Sequence, residues 1–152
     1  MMNNIEGNQE ELLLKNLEAL KENIRRYSLD ESDEIEDCRY MTPYYSVKHG
    51  KVVELSLSDC NLKAIPPFVY ELHDLEVLDL SSNEIEELPP EISRLGKLQY
   101  LNLYSTNIRT LPAEIKNLRN LRRLVILKKL DSLPREIGEL TNLKRLLIRS
   151  YN

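Results

Sequence analysis

The sequence contains few of the residues that form disulfide frameworks, metal sites and large aromatic clusters. Its 152 residues include no Trp, one Phe, two Cys and two His. Two cysteines, Cys38 and Cys60, and the absence of an Asn-x-Ser/Thr site fit a reducing compartment better than a secreted scaffold. The histidines, His49 and His73, have no neighbour at the spacing of metal ligands. We therefore expect no bound metal.

Long apolar segments and catalytic motifs are also missing. No apolar run approaches the roughly 20 residues that a membrane span needs. Residues 1–10 lack a basic stretch followed by an apolar one, so we expect no signal peptide and a cytoplasmic address. The chain has no Gly-rich phosphate loop and no Ser or Cys in a nucleophile turn. These absences argue against an enzyme and against a cofactor.

Charge is distributed unevenly along the chain. The net charge is −4, but residues 1–117 hold 12 Lys or Arg against 22 Asp or Glu, whereas residues 118–152 hold 9 against 3. The first part therefore carries −10 and the second +6. Opposite charge at the two ends bears on the choice of partners.

The apolar residues that are present, mostly leucine and isoleucine, recur with a period of 23. This period aligns Val52, Leu75, Leu98 and Leu121, and a step of 22 then reaches Leu143. Apolar residues follow three and five places after each start, at Leu55 and Leu57, Leu78 and Leu80, Leu101 and Leu103, Leu124 and Ile126, and Leu146 and Ile148. Each unit continues with a pair ending in proline, at Ile65-Pro66, Leu88-Pro89, Leu111-Pro112 and Leu133-Pro134. Three residues after each proline stands Val69, Ile92, Ile115 or Ile137.

The motif L-x-x-L-x-L-x-x-N-x-L with its L-P-x-x-I continuation resembles the leucine-rich repeat family. It is similar to the intracellular class with 23-residue repeats, found in Ras-pathway scaffold proteins and microbial relatives. The resemblance covers Val52 to Asn152, with four repeats and a truncated fifth. It implies an α/β fold, a right-handed solenoid shaped as a short horseshoe, with a parallel sheet on the concave face.

The physical basis of this fold can be read from the residues themselves. Leucines three and five places after a repeat start lie on one face of a short strand, because side chains alternate along it. One coil cannot bury its apolar face alone, but stacked coils share a continuous core. Proline in the connecting segments limits long helices, so we expect short helical or 3₁₀ turns on the opposite, convex wall.

Polar or small residues stand where each strand turns away. At this position the family carries a ladder of Asn or Cys, and here it holds Cys60, Asn83 and Thr106. Cys60 is therefore expected to be a buried structural thiol. The fourth repeat is one residue short, with Lys128 and Lys129 at the ladder position, and we expect the ladder to be broken there.

Residues 1–51 are predicted to close the N-terminal end, ahead of a repeat domain at 52–152. Apolar residues recur at helical spacing from Leu13 to Tyr27, which predicts an amphipathic helix from about Asn8 to Tyr27. Solenoids need terminal caps, so a capping role is favoured over a free helix that docks on a partner. An acidic connector follows at residues 30–37. Residues 44–57 read as a hairpin that turns at His49-Gly50.

The other end shows no polar capping segment after the fifth strand. Leu146 and Ile148 would lie in a coil with nothing stacked beyond it. Either the chain is a fragment, or another molecule covers this end. We expect self-association there, with pairing of the basic end to an acidic surface of a second copy as one form.

Residues two, four and six places after each repeat start should face the concave side. They change from acidic and small, through tyrosine, to basic and apolar. Tyr and Arg are common at interface hot spots. We therefore predict a protein-binding surface formed by Asp79, Tyr100, Asn102, Tyr104, Arg123, Val125, Leu127, Arg145, Leu147 and Arg149. Ordinary solvated sheet surface is the alternative interpretation of these residues.

The function that follows is a cytoplasmic adaptor or scaffold without catalytic activity. The resemblance to Ras-pathway scaffolds implies a small GTPase or another signalling protein as partner, by analogy alone. A rival hypothesis is binding of a polyanion, either nucleic acid or an acidic membrane. It would use Arg119, Arg122, Arg123, Lys128, Lys129, Lys144, Arg145 and Arg149. The acidity of the remaining chain and the lack of base-stacking modules argue against it.

Overall fold

The computed structural model describes residues 6–19, 25–28, 43–126 and 130–148. These residues form one helix, a sheet and a series of 3₁₀ turns. The helix is α1, Glu6–Ala19. The seven strands are β1, Arg25–Ser28; β2, Tyr44–Lys48; β3, Lys51–Ser56; β4, Val77–Asp79; β5, Tyr100–Asn102; β6, Arg123–Ile126; and β7, Arg145–Ile148. They follow one another across the sheet in chain order.

The strands of the repeats, β3 to β7, are all parallel and pair in register. Equivalent repeat positions therefore face one another, as in Leu78 opposite Leu101 and Leu101 opposite Leu124. Before them, β2 and β3 form an antiparallel hairpin with a bulge at Ser46 and Val47. This hairpin turns at His49 and Gly50, as predicted, and both residues have positive φ.

The connecting segments contain 3₁₀ turns directly after the proline pairs, as the sequence predicts. The four turns are Pro67–Glu71, Pro90–Arg94, Ala113–Asn117 and Arg135–Glu139. In the first three, Val69, Ile92 and Ile115 are fully buried in the same core as the strand leucines. Each of the first three repeats therefore contributes one strand and one 3₁₀ turn to a shared core.

Burial of the core-facing leucines changes along the solenoid. Leu78, Leu101 and Leu124 have no exposed surface, whereas Leu146 at the equivalent position in β7 is 36% exposed. Ile148 is exposed to a similar extent. Burial of a leucine side chain contributes about 1.5–3 kcal/mol, so β7 gains less from packing than the inner strands do.

The N-terminal helix covers the first coil. Leu13 and Leu17 of α1 are buried and belong to the common core. Two side-chain hydrogen bonds also hold the helix in place. Gln9 donates to Asp74, and the Tyr45 hydroxyl donates to Glu10. The helix is therefore a cap, as predicted, and it is not free to dock on a partner through this face.

The predicted extent of this helix was wrong at its C-terminal end. The helix ends at Ala19, and Tyr27 lies in β1, which pairs in parallel with β2. Leu20 and Ile24, whose spacing suggested a longer helix, lie outside the described residues. Pairing with an exposed sheet edge satisfies backbone groups along Arg25–Ser28, and spacing in the sequence does not reveal this gain.

A tight turn follows each of the first repeat strands. Asp59, Ser82 and Ser105 are 23 residues apart and all have φ between 55° and 57°. The ladder residue comes next. Asn83 is buried, its Oδ1 accepts from the backbone N–H of Cys60 and Leu62, and its Nδ2 donates to the carbonyls of Leu57, Leu80 and Ser81. The predicted ladder is thus present.

The other ladder positions behave in the same way with fewer bonds. Thr106 is buried and donates to the carbonyl of Leu103, 2.9 Å away. Cys60 is buried, and its thiol donates to the carbonyl of Ser58. The structural role predicted for Cys60 is therefore confirmed. Residues 127–129, where the ladder was expected to break, lie outside the described residues.

A second set of bonds repeats at each boundary between coils. The backbone N–H groups of Glu76, Gln99, Arg122 and Lys144 each donate to the coil before, at 2.7–2.8 Å. Their acceptors are the carbonyls of Val53, Glu76, Gln99 and Arg122. Successive coils are therefore joined by the same contact.

Among the described residues, no helix is long and apolar enough to cross a membrane. The division into a cap at 1–51 and a repeat domain at 52–152 stays a prediction. Residues 30–37, where an acidic connector was expected, lie outside the described part of the chain, and so does Cys38.

Candidate partner-binding face

The sheet has one face against the core and one face away from it. We call the second the open face, and it corresponds to the concave side predicted from the sequence. Its side chains stand in two rows across β3 to β7. Strand register sets Glu54, Val77, Tyr100, Arg123 and Arg145 side by side, and likewise Ser56, Asp79, Asn102, Val125 and Leu147. The predicted binding residues on β4 to β7 are therefore neighbours.

The N-terminal part of the open face is buried. Ser56 and Val77 have no exposed surface, and Asp79 is only 3% exposed. Asp79 was predicted to bind a partner, but it offers almost no contact area here. The sequence held one signal of this burial, because Val77 is apolar at a position where later repeats have Tyr100 and Arg123.

Asp79 has a structural role within the face. One of its oxygens accepts from the backbone N–H of Ser81 at 2.8 Å, and the other accepts from the Asn102 amide at 3.1 Å. Burial raises the pKa of this carboxyl above its usual value, while the bonds from Ser81 and Asn102 act in the opposite direction. The carboxylate thus orients the side chain of Asn102, its neighbour on the next strand.

Glu54 lies in the other row and is also buried. Its carboxylate accepts a hydrogen bond from the Ser46 hydroxyl at 2.8 Å. Burial raises the pKa of Glu54, the Ser46 bond lowers it, and the charge of Glu76 raises it further. The two acidic groups of the open face are therefore held by hydrogen bonds inside the protein and present little charge to solvent.

The central part of the open face carries accessible aromatic and basic groups. Tyr104 is 42% exposed, while Tyr100, Asn102 and Arg123 are partly exposed. The guanidinium of Arg123 lies over the ring of Tyr100, 5.5 Å from its centroid. The side-chain oxygen of Asn102 accepts from the backbone N–H of Tyr104 at 3.0 Å. These contacts order the side chains in this part of the face.

Toward β7 the face becomes basic and apolar. Arg145 is exposed, and Leu147 is 47% exposed. Val125, between Asn102 and Leu147 in its row, is buried and adds little surface. Leu127 and Arg149, which were also predicted to bind, lie outside the described residues. The accessible surface thus consists of Tyr100, Asn102, Tyr104, Arg123, Arg145 and Leu147, which we call the open-face patch.

The basic residues of the rival hypothesis are not all on this face. Arg119, Arg122 and Lys144 are exposed and lie before the strands rather than within them. Lys128 and Lys129 lie outside the described residues. Among the residues that the structure describes, no cluster of three His, Cys, Asp or Glu side chains is placed to hold a metal ion.

Residues 51–108 match the family model for the leucine-rich repeat. Solved structures that resemble the chain include a leucine-rich repeat protein of Leptospira interrogans, at 34% identity and a TM-score of 0.57. That match covers 63% of this chain and 31% of the Leptospira protein, so the chain spans about a third of its length. A comparison with curated proteins found no match.

Two structures from Arabidopsis thaliana resemble the chain over a larger share of its length. The BIR3–SERK2 complex of Arabidopsis thaliana matches at 26% identity, with a TM-score of 0.59, covering 82% of this chain and 70% of that one. The ectodomain of the Arabidopsis receptor kinase SOBIR1 matches at 21% identity, with a TM-score of 0.54 and 93% of each chain covered. At that identity the SOBIR1 likeness concerns the fold alone.

Proposed function

We propose that this chain, a leucine-rich repeat protein, is a non-enzymatic adaptor that binds a partner protein on its open-face patch. The repeats are commonly modules of protein–protein interaction, and the patch is where this chain differs from one repeat to the next. The observation that carries the proposal is the stacked pair of Tyr100 and Arg123 beside the exposed Tyr104.

The chemistry of these groups suits an interface. Tyr and Arg combine large contact area with hydrogen bonding, and they dominate the energetics of many interfaces. The patch also places the exposed Leu147 next to Arg145 on β7. A partner with an apolar centre and an acidic rim would match it.

The order of the patch lowers the cost of binding. Each flexible side chain that an interface immobilises costs about 0.5–1.5 kcal/mol. Arg123 is already stacked on Tyr100, and Asn102 is already bonded to Asp79 and to Tyr104. Less entropy is therefore lost when a partner docks on these residues.

The similar structures support a protein as the partner, but which protein it is stays a proposal. The BIR3–SERK2 structure is of a complex between two proteins, which supports a protein partner for this fold. A small GTPase or another signalling protein, and a scaffold role, rest on the analogy with Ras-pathway scaffolds. The cytoplasmic address also stays a prediction, because similar structures include a receptor ectodomain.

A capture experiment tests the patch. Wild-type protein and a Tyr100→Ala, Tyr104→Ala, Arg123→Glu variant are immobilised and exposed to lysate of the native source. The amount of a protein captured by wild type should fall at least tenfold with the variant, because the variant removes the aromatic surface and reverses the charge of Arg123. Circular dichroism confirms that the variant is folded.

A matched variant controls for altered charge. Arg135→Glu alone changes the charge by the same two units, at an exposed residue of the fourth 3₁₀ turn, away from the open face. It should retain the captured protein. Equal loss from both variants, or equal retention by both, would contradict a role for the patch. Captured nucleic acid whose binding falls steeply with salt would instead favour the polyanion hypothesis.

Self-association through β7 is a second proposal, favoured by one observation. The core-facing Leu146 and Ile148 are more than a third exposed, although the residues at the same positions of the three preceding repeats are buried. Strand β7 also has neighbours on one side alone within the described sheet. A second copy would cover this apolar edge, and its acidic surface could pair with Arg145.

Light scattering tests this proposal directly. Wild-type protein at high concentration should show a mass above that of one chain, 17.8 kDa. Leu146→Glu should return the mass to one chain, because a carboxylate cannot be buried in an apolar contact without a large penalty. Arg145→Glu with Arg149→Glu should do the same if charge orients the copies. A wild-type mass of one chain at every concentration would refute self-association.

A further inference from the structure

A groove of about 500 Å³ lies between the first two 3₁₀ turns, in segments that connect the strands rather than on the open-face patch. Its apolar lining comes from Ala64, Ile65, Pro67 and Pro89. Its charged lining comes from Lys63, Glu71, Glu86, Glu87, Glu91 and Arg94. The lining thus carries four acidic and two basic groups, a formal charge of −2.

The ion pairing within the groove is incomplete. Arg94 bonds to Glu71 across the boundary between repeats, with a shortest distance of 2.8 Å. Glu86, Glu87 and Glu91 are exposed, and no ion pair between described residues involves them. Three carboxylates therefore converge on the groove without a cation of their own.

Tyr70 supplies an independent observation. It lines the groove and is only 6% exposed, and its hydroxyl oxygen is buried without a hydrogen-bond partner. Burial, together with the nearby charge of Glu91, raises the pKa of Tyr70 to about 12. A buried hydroxyl without a partner costs stability, so it marks a place where a ligand atom would be stabilised.

We propose that this groove binds an arginine or lysine side chain carried by an extended segment of a partner protein. The aliphatic stem would lie against Ile65, Pro67 and Pro89, because long basic side chains pack their methylenes on apolar surface. The cationic head would reach the unpaired carboxylates. After a groove side chain moves aside, the Tyr70 hydroxyl oxygen would accept a hydrogen bond from one of the N–H groups of the head. Such hydrogen bonds to an ionised donor are stronger than neutral ones.

The residue at the Tyr70 position differs from one repeat to the next. One repeat after Tyr70 stands Ser93, and two repeats after it stands Lys116. Neither supplies a phenol, and Lys116 would repel a cation. The repeat scaffold alone therefore does not create the site, and the matching residues of later repeats provide controls.

The test uses a defined probe. Acetyl-Arg-Arg-Arg-amide is titrated into the full chain at low salt and followed by amide chemical shifts. The corresponding citrulline peptide, which keeps the shape but lacks the charge, is the first control. Saturable shifts should appear at Ala64, Tyr70, Glu71 and Glu91 with the arginine peptide alone. Shifts centred on Tyr100 and Arg123, or equal shifts with citrulline, would overturn the proposal.

Three variants separate the groove from general acidity. Glu86→Gln with Glu87→Gln and Glu91→Gln should weaken binding by at least tenfold. Glu84→Gln with Glu114→Gln and Glu139→Gln removes the same charge outside the groove and should change it less than twofold. Tyr70→Phe should weaken binding severalfold without lowering the melting temperature, because a hydroxyl without a partner stabilises nothing in the free protein.

Two outcomes would overturn this assignment. Equal weakening by both sets of glutamate replacements would show long-range attraction with no specific site. Shifts that depend on the concentration of the protein rather than of the peptide would show that a second copy occupies the groove. Because the open-face patch is not altered in any of these variants, failure here leaves the proposed adaptor function untouched.

Discussion

Replacing Asn83 by alanine is expected to lower the free energy of unfolding by about 3–5 kcal/mol. The side chain bonds to five backbone groups in two successive coils, three carbonyls and two N–H groups. Alanine would remove a partner from each group, although the Ser81 carbonyl would keep its bond from the Asp59 N–H. Each buried group left without a partner costs about 1–3 kcal/mol. Water entering the vacated space would offset part of the sum.

Asn120 offers a matched control for this change. It is exposed and makes one bond to the backbone, from its amide to the carbonyl of Gly96 at 2.7 Å. Asn120→Ala should therefore cost less than about 1 kcal/mol. Urea unfolding followed by circular dichroism measures both variants. Similar losses from the two variants would contradict the role assigned to the buried ladder.

The second large effect is expected from Leu101→Ala, which should lower the free energy of unfolding by about 3–5 kcal/mol. Leu101 is fully buried between Leu78 and Leu124 in the register of the sheet. Coils on both sides hold the surrounding side chains in place, so the cavity cannot collapse. The loss should therefore include both the transfer of the side chain and the cavity.

Leu146→Ala is the comparison, because Leu146 occupies the same repeat position in β7. Because Leu146 is 36% exposed, its replacement should lower the free energy of unfolding by less than half as much in the same urea titration. The difference between the two variants measures how far packing weakens toward β7. Equal losses would mean that Leu146 is buried in solution, and self-association would be the first explanation to examine.

The period of the leucines was enough to predict most of the fold. It fixed which residues form the core, because a strand repeats with period two and a coil of 23 residues returns each position to the same place. It also located the 3₁₀ turns, since proline follows the same step, and the ladder at Asn83 and Thr106. The match of residues 51–108 to the leucine-rich repeat model agrees with that interpretation.

Features that depend on contact between distant segments were not predictable in this way. The helical spacing from Leu13 onward did not show that Tyr27 pairs as a strand with β2. The burial of Asp79 was missed because alternation defines which way a side chain points and not what lies over it. The groove at Tyr70 was missed because its lining comes from two repeats, and no short motif records both.

The identical bonds between coils have a consequence for how such a chain can change in length. The carbonyls of Glu76, Gln99 and Arg122 accept equivalent backbone hydrogen bonds. Each coil therefore presents the acceptor that the following coil requires. Duplication or deletion of one whole inner 23-residue unit would preserve every type of junction. It would, however, alter the sequence of side chains across the sheet. Recombination at these junctions would therefore change the side chains of the open face on an unchanged framework.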